Sequence, residues 1–170
     1  MTLHTIAAAL LRAVCIFSVS SAILMTPGSS GKAGEPSPFT PLIGRWVGEG
    51  KLGVKDSPPE VVKCRVTYLA AEDANHLKQN IRCATAGGSI EVLSAIAHNN
   101  GQLAGTWSET THNINGNLTG QVTPRGFRVV VKGEELAANM DIILRDQKQI
   151  VEIQFFNSAL YGLTLTLTKG

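Results

Sequence analysis

From Gly44 to Thr168 the chain alternates apolar and polar residues with a period near two, not 3.6. Runs rich in Val, Ile, Leu and Thr are broken by Gly, Asn and Asp at intervals of roughly ten residues, the pattern of a β-sandwich or barrel. The pattern predicts strands over 44–54, 60–70, 75–85, 88–98, 101–109, 113–123, 126–133, 136–145, 148–156 and 160–168. The breaks at Asp73-Ala74, Asn99-Asn100-Gly101, Pro124-Arg125-Gly126 and Asp146-Gln147 are short, so consecutive strands should pair as an antiparallel meander. No long helical stretch interrupts them.

Sorting each run by parity separates a dry face from a wet one. Val92, Ile96, Leu118, Val129, Ile142, Val151, Phe155, Leu165 and Leu167 share the first, and Asn115, Asn117, Thr119, Thr164 and Thr166 the second. So many strands with a single dry face would leave unpaired edges as an open sheet, and closure into a barrel removes them. The expected fold is therefore all-β, a single antiparallel meander barrel of about 8–10 strands.

The cysteines test this register. If Cys64 opposes Cys83 across a hairpin turning near Asp73-Ala74, Val66 falls opposite Ile81 and Ala70 opposite Leu77 on the apolar face. Lys63 then opposes Ala84 and Thr67 opposes Asn80 on the polar face. A disulfide and the hydrophobic pattern thus demand the same pairing. One discord is Arg65 opposite Arg82, a like-charge pair that Glu91 on the following strand could relieve.

The front of the chain has a different character. Thr5 to Met25 is almost uncharged, Arg12 excepted, and reads as a secretory signal. An uncleaved membrane anchor is the alternative, since about 20 apolar residues can span a bilayer. Pro27 to Pro38 is rich in Gly, Ser and Pro, the composition of a flexible linker. The expected organisation is a signal peptide and the start of a linker over 1–33, a linker leading into the barrel over 34–43, and the barrel domain over 44–170. The mature start is expected between Ile23 and Glu35, in a periplasmic or extracellular compartment where Cys64 and Cys83 can oxidise.

Charge narrows the partners. The chain has 15 Lys and Arg against 13 Asp and Glu, and Arg12 and Lys32 lie in the leader, so the remainder is close to neutral. No basic cluster interleaved with aromatics is present, so no nucleic-acid partner is expected. Two Trp, two Tyr and five Phe are too few to build the two aromatic girdles of an outer-membrane barrel. No stable membrane insertion is expected after cleavage.

A short repeat points further. Leu42-Ile43-Gly44-Arg45-Trp46 recurs as Leu103-Ala104-Gly105-Thr106-Trp107, each with Gly two residues before Trp. Gly44-Arg45-Trp46, on the first strand of an exported meander, resembles the Gly-X-Trp signature of lipocalins and the wider calycin superfamily. The string Leu42 to Gly50, LIGRWVGEG, is similar to that of the nitrobindin group, ten-stranded barrels related in shape to fatty-acid-binding proteins. Gly105 to Thr110, GTWSET, is faintly similar to avidin strands. The resemblance implies a calycin-like barrel with a central pocket for a small, usually apolar ligand, which in nitrobindins is haem held by a histidine near the C-terminus. Here residues 148–170 contain no histidine, and His76, His98 and His112 fall at predicted turns or strand ends. No haem, other cofactor or metal site is expected.

Trp46 and Trp107 are expected inside the barrel at the same end, and Tyr68, Gln79, Ser94 and Glu109 are the inward polar candidates. Together these six form the candidate ligand pocket, because a few polar groups in an apolar cavity orient a ligand. The simpler reading of Tyr68 and Gln79 is that they hydrogen-bond each other. Gly48, Gly50, Gly105, Gly116 and Gly120 on the inner face mark either a hollow interior or points of bulge and twist. Glu109 and His112 could form an acid–base pair only if the chain turns there, since a three-residue step along a strand places them on opposite faces. Ser108 lacks a nucleophile-elbow context, and no Gly-rich phosphate loop precedes a helix. The sequence therefore suggests no catalytic residue and a non-enzymatic, exported protein binding a small, largely apolar ligand. The alternative is a filled-core barrel that binds a protein partner or cell-envelope component through its loops.

Overall fold

A computed structural model describes residues 36–170 apart from Asn157. The expected signal segment, residues 1–33, lies outside the described residues. The strands are β1 (Gly44–Val54), β2 (Glu60–Ala70), β3 (His76–Thr85), β4 (Gly88–Asn99), β5 (Gln102–Glu109), β6 (Ile114–Thr123), β7 (Gly126–Gly133), β8 (Ala137–Arg145), β9 (Lys148–Phe156) and β10 (Leu160–Lys169). Each pairs antiparallel with the next, and β1 returns to pair with β10, so the sheet is a closed barrel without a free edge. Among the described residues no helix is long and apolar enough to cross a membrane.

Alternation sets the two faces. In β2, Val62, Cys64, Val66 and Tyr68 are buried, while Val61, Lys63 and Arg65 between them are exposed. The β2–β3 register pairs Cys64 with Cys83, Val66 with Ile81, Ala70 with Leu77 and Arg65 with Arg82, as the sequence demands. Cys64 and Cys83 are disulfide-bonded, their Cα atoms 4.2 Å apart. Glu91, opposite Arg82 on β4, relieves the like-charge pair. Its Oε1 accepts from Arg82 Nε at 2.9 Å and from Asn80 Nδ2 at 2.8 Å. These two donors, Arg82 foremost, lower the Glu91 carboxyl below its ordinary range.

The glycines answer the question left by their position. A Cβ at Gly48 would strike the Thr166 carbonyl oxygen of β10, and one at Gly105 the Ala95 carbonyl oxygen of β4. These residues let neighbouring strands coil tightly against each other. They mark close backbone approach and do not carve the interior.

The two ends differ. The starts of the odd-numbered strands form one end, and the residues just before β1 fold across it. Leu42 N donates to Phe39 O at 2.9 Å in this turn. Phe39 and Leu42 are buried, so the segment expected to be a linker supplies part of the core. Phe39 stacks on Phe127 of β7 and meets His98 of β4 edge-on. Trp46 is 1% exposed, and its Nε1 donates to Leu42 O at 2.6 Å. Lys169 sits 5.4 Å from the Trp46 ring centroid and donates through Nζ to Pro41 O. Full burial of an apolar side chain such as Leu167 contributes roughly 1.5–3 kcal/mol. This end is therefore dry and anchored. At the other end, among the described residues, only the hairpin turns close the strands, and Ile90, on the inward parity of β4, stays 40% exposed.

Candidate functional site

The barrel encloses a cavity of about 370 Å³. Phe39 and Leu42 belong to its lining at the closed end, and Ile90, Ile114, Leu136 and Leu160 belong to it towards the open end. Its size is at the low end of the roughly 300–1,000 Å³ typical of small-molecule sites. The wall between is mostly aliphatic: Val92, Ile96, Leu118, Val129, Val131, Met140 and Ile153.

The polar groups of the wall are gathered. Tyr68 pairs with Gln79, Gln79 with Ser94, and Ser94 with Trp107, so four side chains lie on one rung across β2, β3, β4 and β5. The rung continues through Gly116 and Gly133, which carry no side chain. All four line the cavity. Tyr68 is 2% exposed, and its hydroxyl accepts from Gln149 Nε2 at 2.8 Å. Burial pushes the Tyr68 phenol above its ordinary value, and hydrogen bonding with Gln149 and Gln79 offsets part of that. Gln149 is fully buried, and its Oε1 has no partner among the described residues. Its inward parity on β9, shared with Val151 and Ile153, was the signal in the sequence; a glutamine among apolar neighbours hid it.

Glu109 ends β5, two residues beyond Trp107, and is 5% exposed. The chain turns immediately after it, so Glu109 and His112 meet across a turn and not along a strand. Glu109 Oε1 accepts from Thr111 N at 2.7 Å and from Glu91 N at 3.3 Å. Its Oε2 accepts from His112 N at 2.7 Å and lies 2.9 Å from His112 Nδ1. Burial alone would raise the Glu109 carboxyl. The backbone N–H groups of His112 and Thr111, with the side chains of both residues, outweigh it and hold the group at about 2. Glu109 is thus a buried carboxylate held by dipoles. The arrangement also fixes the His112 imidazole through Nδ1.

The two tryptophans part company. Trp46 lies near the start of β1, beside Leu42 and Lys169, and is not among the cavity lining. Trp107 lies near the end of β5, its ring against Gly133 at the end of β7. The expectation that both sit at the same end is corrected: the first Gly-X-Trp opens β1, whereas the second begins inside β5, so Trp107 falls further along its strand. Trp107 is 6% exposed, and its Nε1 has no hydrogen-bond partner among the described residues. Buried polar groups without partners are rare in folded proteins. Among the described residues no group of three or more His, Cys, Asp and Glu could hold a metal ion.

No protein-family model matches the chain, and no curated protein matches it in sequence. Solved structures do. Rv2717c from M. tuberculosis is 14% identical with a TM-score of 0.64, covering 78% of this chain and 94% of that one. The S-type phycobiliprotein lyase CPES from Guillardia theta is 10% identical with a TM-score of 0.59, covering 78% of this chain and 90% of its own. What they share with this chain is the small all-β barrel. At these identities the likeness is one of fold. The expectation of a non-enzymatic protein is nevertheless corrected: a barrel of this shape serves a lyase, so the lack of a familiar catalytic motif does not exclude catalysis here.

Proposed function

We propose that the protein is an exported barrel that takes a small, largely apolar ligand into its interior. The observation that carries this reading is the cavity of about 370 Å³, whose wall is apolar except for the rung from Tyr68 to Trp107 and for Glu109 and His112 near it. A filled-core barrel acting only through its loops would not have this hollow. Apolar surface on a ligand replaces water against the aliphatic wall, and the rung from Tyr68 to Trp107 orients its polar end. Trp46, outside the lining, acts by holding the closed end.

A direct test is titration with the uncharged fluorophore N-phenyl-1-naphthylamine, with mass spectrometry of small molecules co-purified from the native compartment. Saturable binding at one site is expected, abolished when Val131→Phe fills the cavity in a folded protein. Binding unaffected by Val131→Phe would place the fluorophore outside the barrel and defeat the reading.

Export completes the proposal. The disulfide between Cys64 and Cys83 favours an oxidising compartment. Together with the apolar stretch from Thr5 to Met25, it supports a leader over 1–33 ahead of the working domain. N-terminal sequencing of exported material should begin between Ile23 and Glu35. Recovery only in membranes, with the first residues retained, would replace the leader by an anchor.

A further inference from the structure

We propose that the polar end of the ligand is a protonated amine, received on the Glu109 and Trp107 side of the cavity. This rests on the reading of the cavity as a binding site and adds the charge of its occupant. The first support is the sign of the carboxylate in the wall. Glu109 lines the cavity and is buried, yet no Lys, Arg or Asp stands among the lining residues. Its oxygens are met by the N–H groups of Glu91, Thr111 and His112 and by the His112 ring. The one carboxylate of the wall therefore has no Lys or Arg beside it in the wall. These hydrogen bonds satisfy the carboxylate, and the wall keeps a negative sign there that favours a cation over an anion.

The second support is the neighbour. Trp107 precedes Glu109 by two residues on β5 and lines the same cavity. The face of an indole attracts ammonium groups most strongly among aromatic rings, and more so where water is excluded. A carboxylate and an indole side by side on one face of a strand suit an amine better than either alone.

The third support is the field at the mouth. Asp56, Glu60, Glu134 and Glu135 stand at the turns and strand ends of the open end, against Lys55 and Lys132. At the closed end Arg125, Arg145, Lys148 and Lys169 stand against Glu72, Asp73 and Asp146. A mouth of this sign draws cations inward and repels anions. A fatty acid would bring its carboxylate towards Glu109 with no basic group in the wall to receive it.

Calorimetric titration of the full mature protein with decylammonium, decanol and decanoate at neutral pH separates the possibilities. Decylammonium should bind at least about tenfold more tightly than decanoate, with decanol between them. Glu109→Gln should bring decylammonium to the level of decanol. Because Glu109 also orders the β5–β6 turn, Trp107→Leu is the companion variant, expected to weaken decylammonium several-fold more than decanol. Decanoate binding as tightly as decylammonium would overturn the inference, as would a preference untouched by both variants. Decanol binding without charge discrimination would overturn this inference alone. If none of the three binds, the cavity reading fails and this one with it.

Discussion

The closed and open ends of the barrel are built from the same kind of strand yet do opposite work. At the closed end Phe39, Leu42, Trp46, Tyr68, Gln149 and Leu167 are at most 3% exposed. At the open end the inward residues Ile90, Ile114, Leu136 and Leu160 are half-buried or exposed. The difference comes from what crosses each end. A short segment of chain, pinned by Leu42 O to Trp46 Nε1 and by Pro41 O to Lys169 Nζ, covers the first. Among the described residues only hairpin turns border the second. A barrel becomes a container when packing is concentrated at one end and withheld from the other.

The largest expected effect falls at the closed end. Trp46→Ala should cost about 3–5 kcal/mol, since it removes a fully buried indole and its hydrogen bond. Trp107→Ala should cost less, because that ring borders space already empty. Urea denaturation of both variants checks this, and equal losses would mean that the two ends are equally packed.

The disulfide comes next. Cys64 and Cys83 join β2 and β3 towards the open end, where side-chain packing is thinner, and are separated by 19 residues. The chain-entropy argument gives about 3 kcal/mol for such a loop, an upper value because the ladder already holds the two strands together. Replacing both with Ala should lower the urea midpoint by up to that amount. It should also speed hydrogen exchange of β3 and β4 amides near the open end more than of β1 amides near Trp46. Uniform acceleration would count against a division of the barrel into a tight and a loose end.

The smallest effect at neutral pH is also the most local. The Glu109 carboxyl is held at about 2, below the value of about 4.3 for a free glutamate. A depressed carboxyl stabilises the folded state fully above the unfolded value and loses that contribution as pH falls towards the folded one. Stability should therefore drop between about pH 4.3 and about pH 2, and Glu109→Gln should flatten this part of the profile. An acid limb unchanged in that variant would show that the β5–β6 turn does not depend on the charge.

The barrel itself was legible because closed meanders repeat one rule. Period two located the strands to within about a residue or two, and the β2–β3 register followed from two cysteines whose apolar neighbours had to share a face. Legibility ended where that rule stops. Phe39 and Leu42 stand among Pro, Ser and Thr in a segment with no strand period, so nothing in the alternation marks them as core. Glu109 and His112 were separable only by knowing that β5 ends at Glu109. The second Gly-X-Trp looked like a strand start because the first one was, although Gly105 is the fourth residue of β5. The gathering of Tyr68, Gln79, Ser94 and Trp107 needed the registers of three consecutive strand pairs at once, of which the cysteines gave one.

The pairing of Trp46 with Lys169 has a consequence in time. The ring joins the first strand to the tenth, so its last ladder cannot form until β10 has been synthesised. Contacts so distant in sequence carry a large loop-closure cost and fold slowly. A growing chain without β10 has two unpaired edges and an interior that cannot be sealed. Under the export proposed above, that delay would be an advantage: the chain would stay pliable while it passed through a narrow channel, and close only after its last strand had arrived.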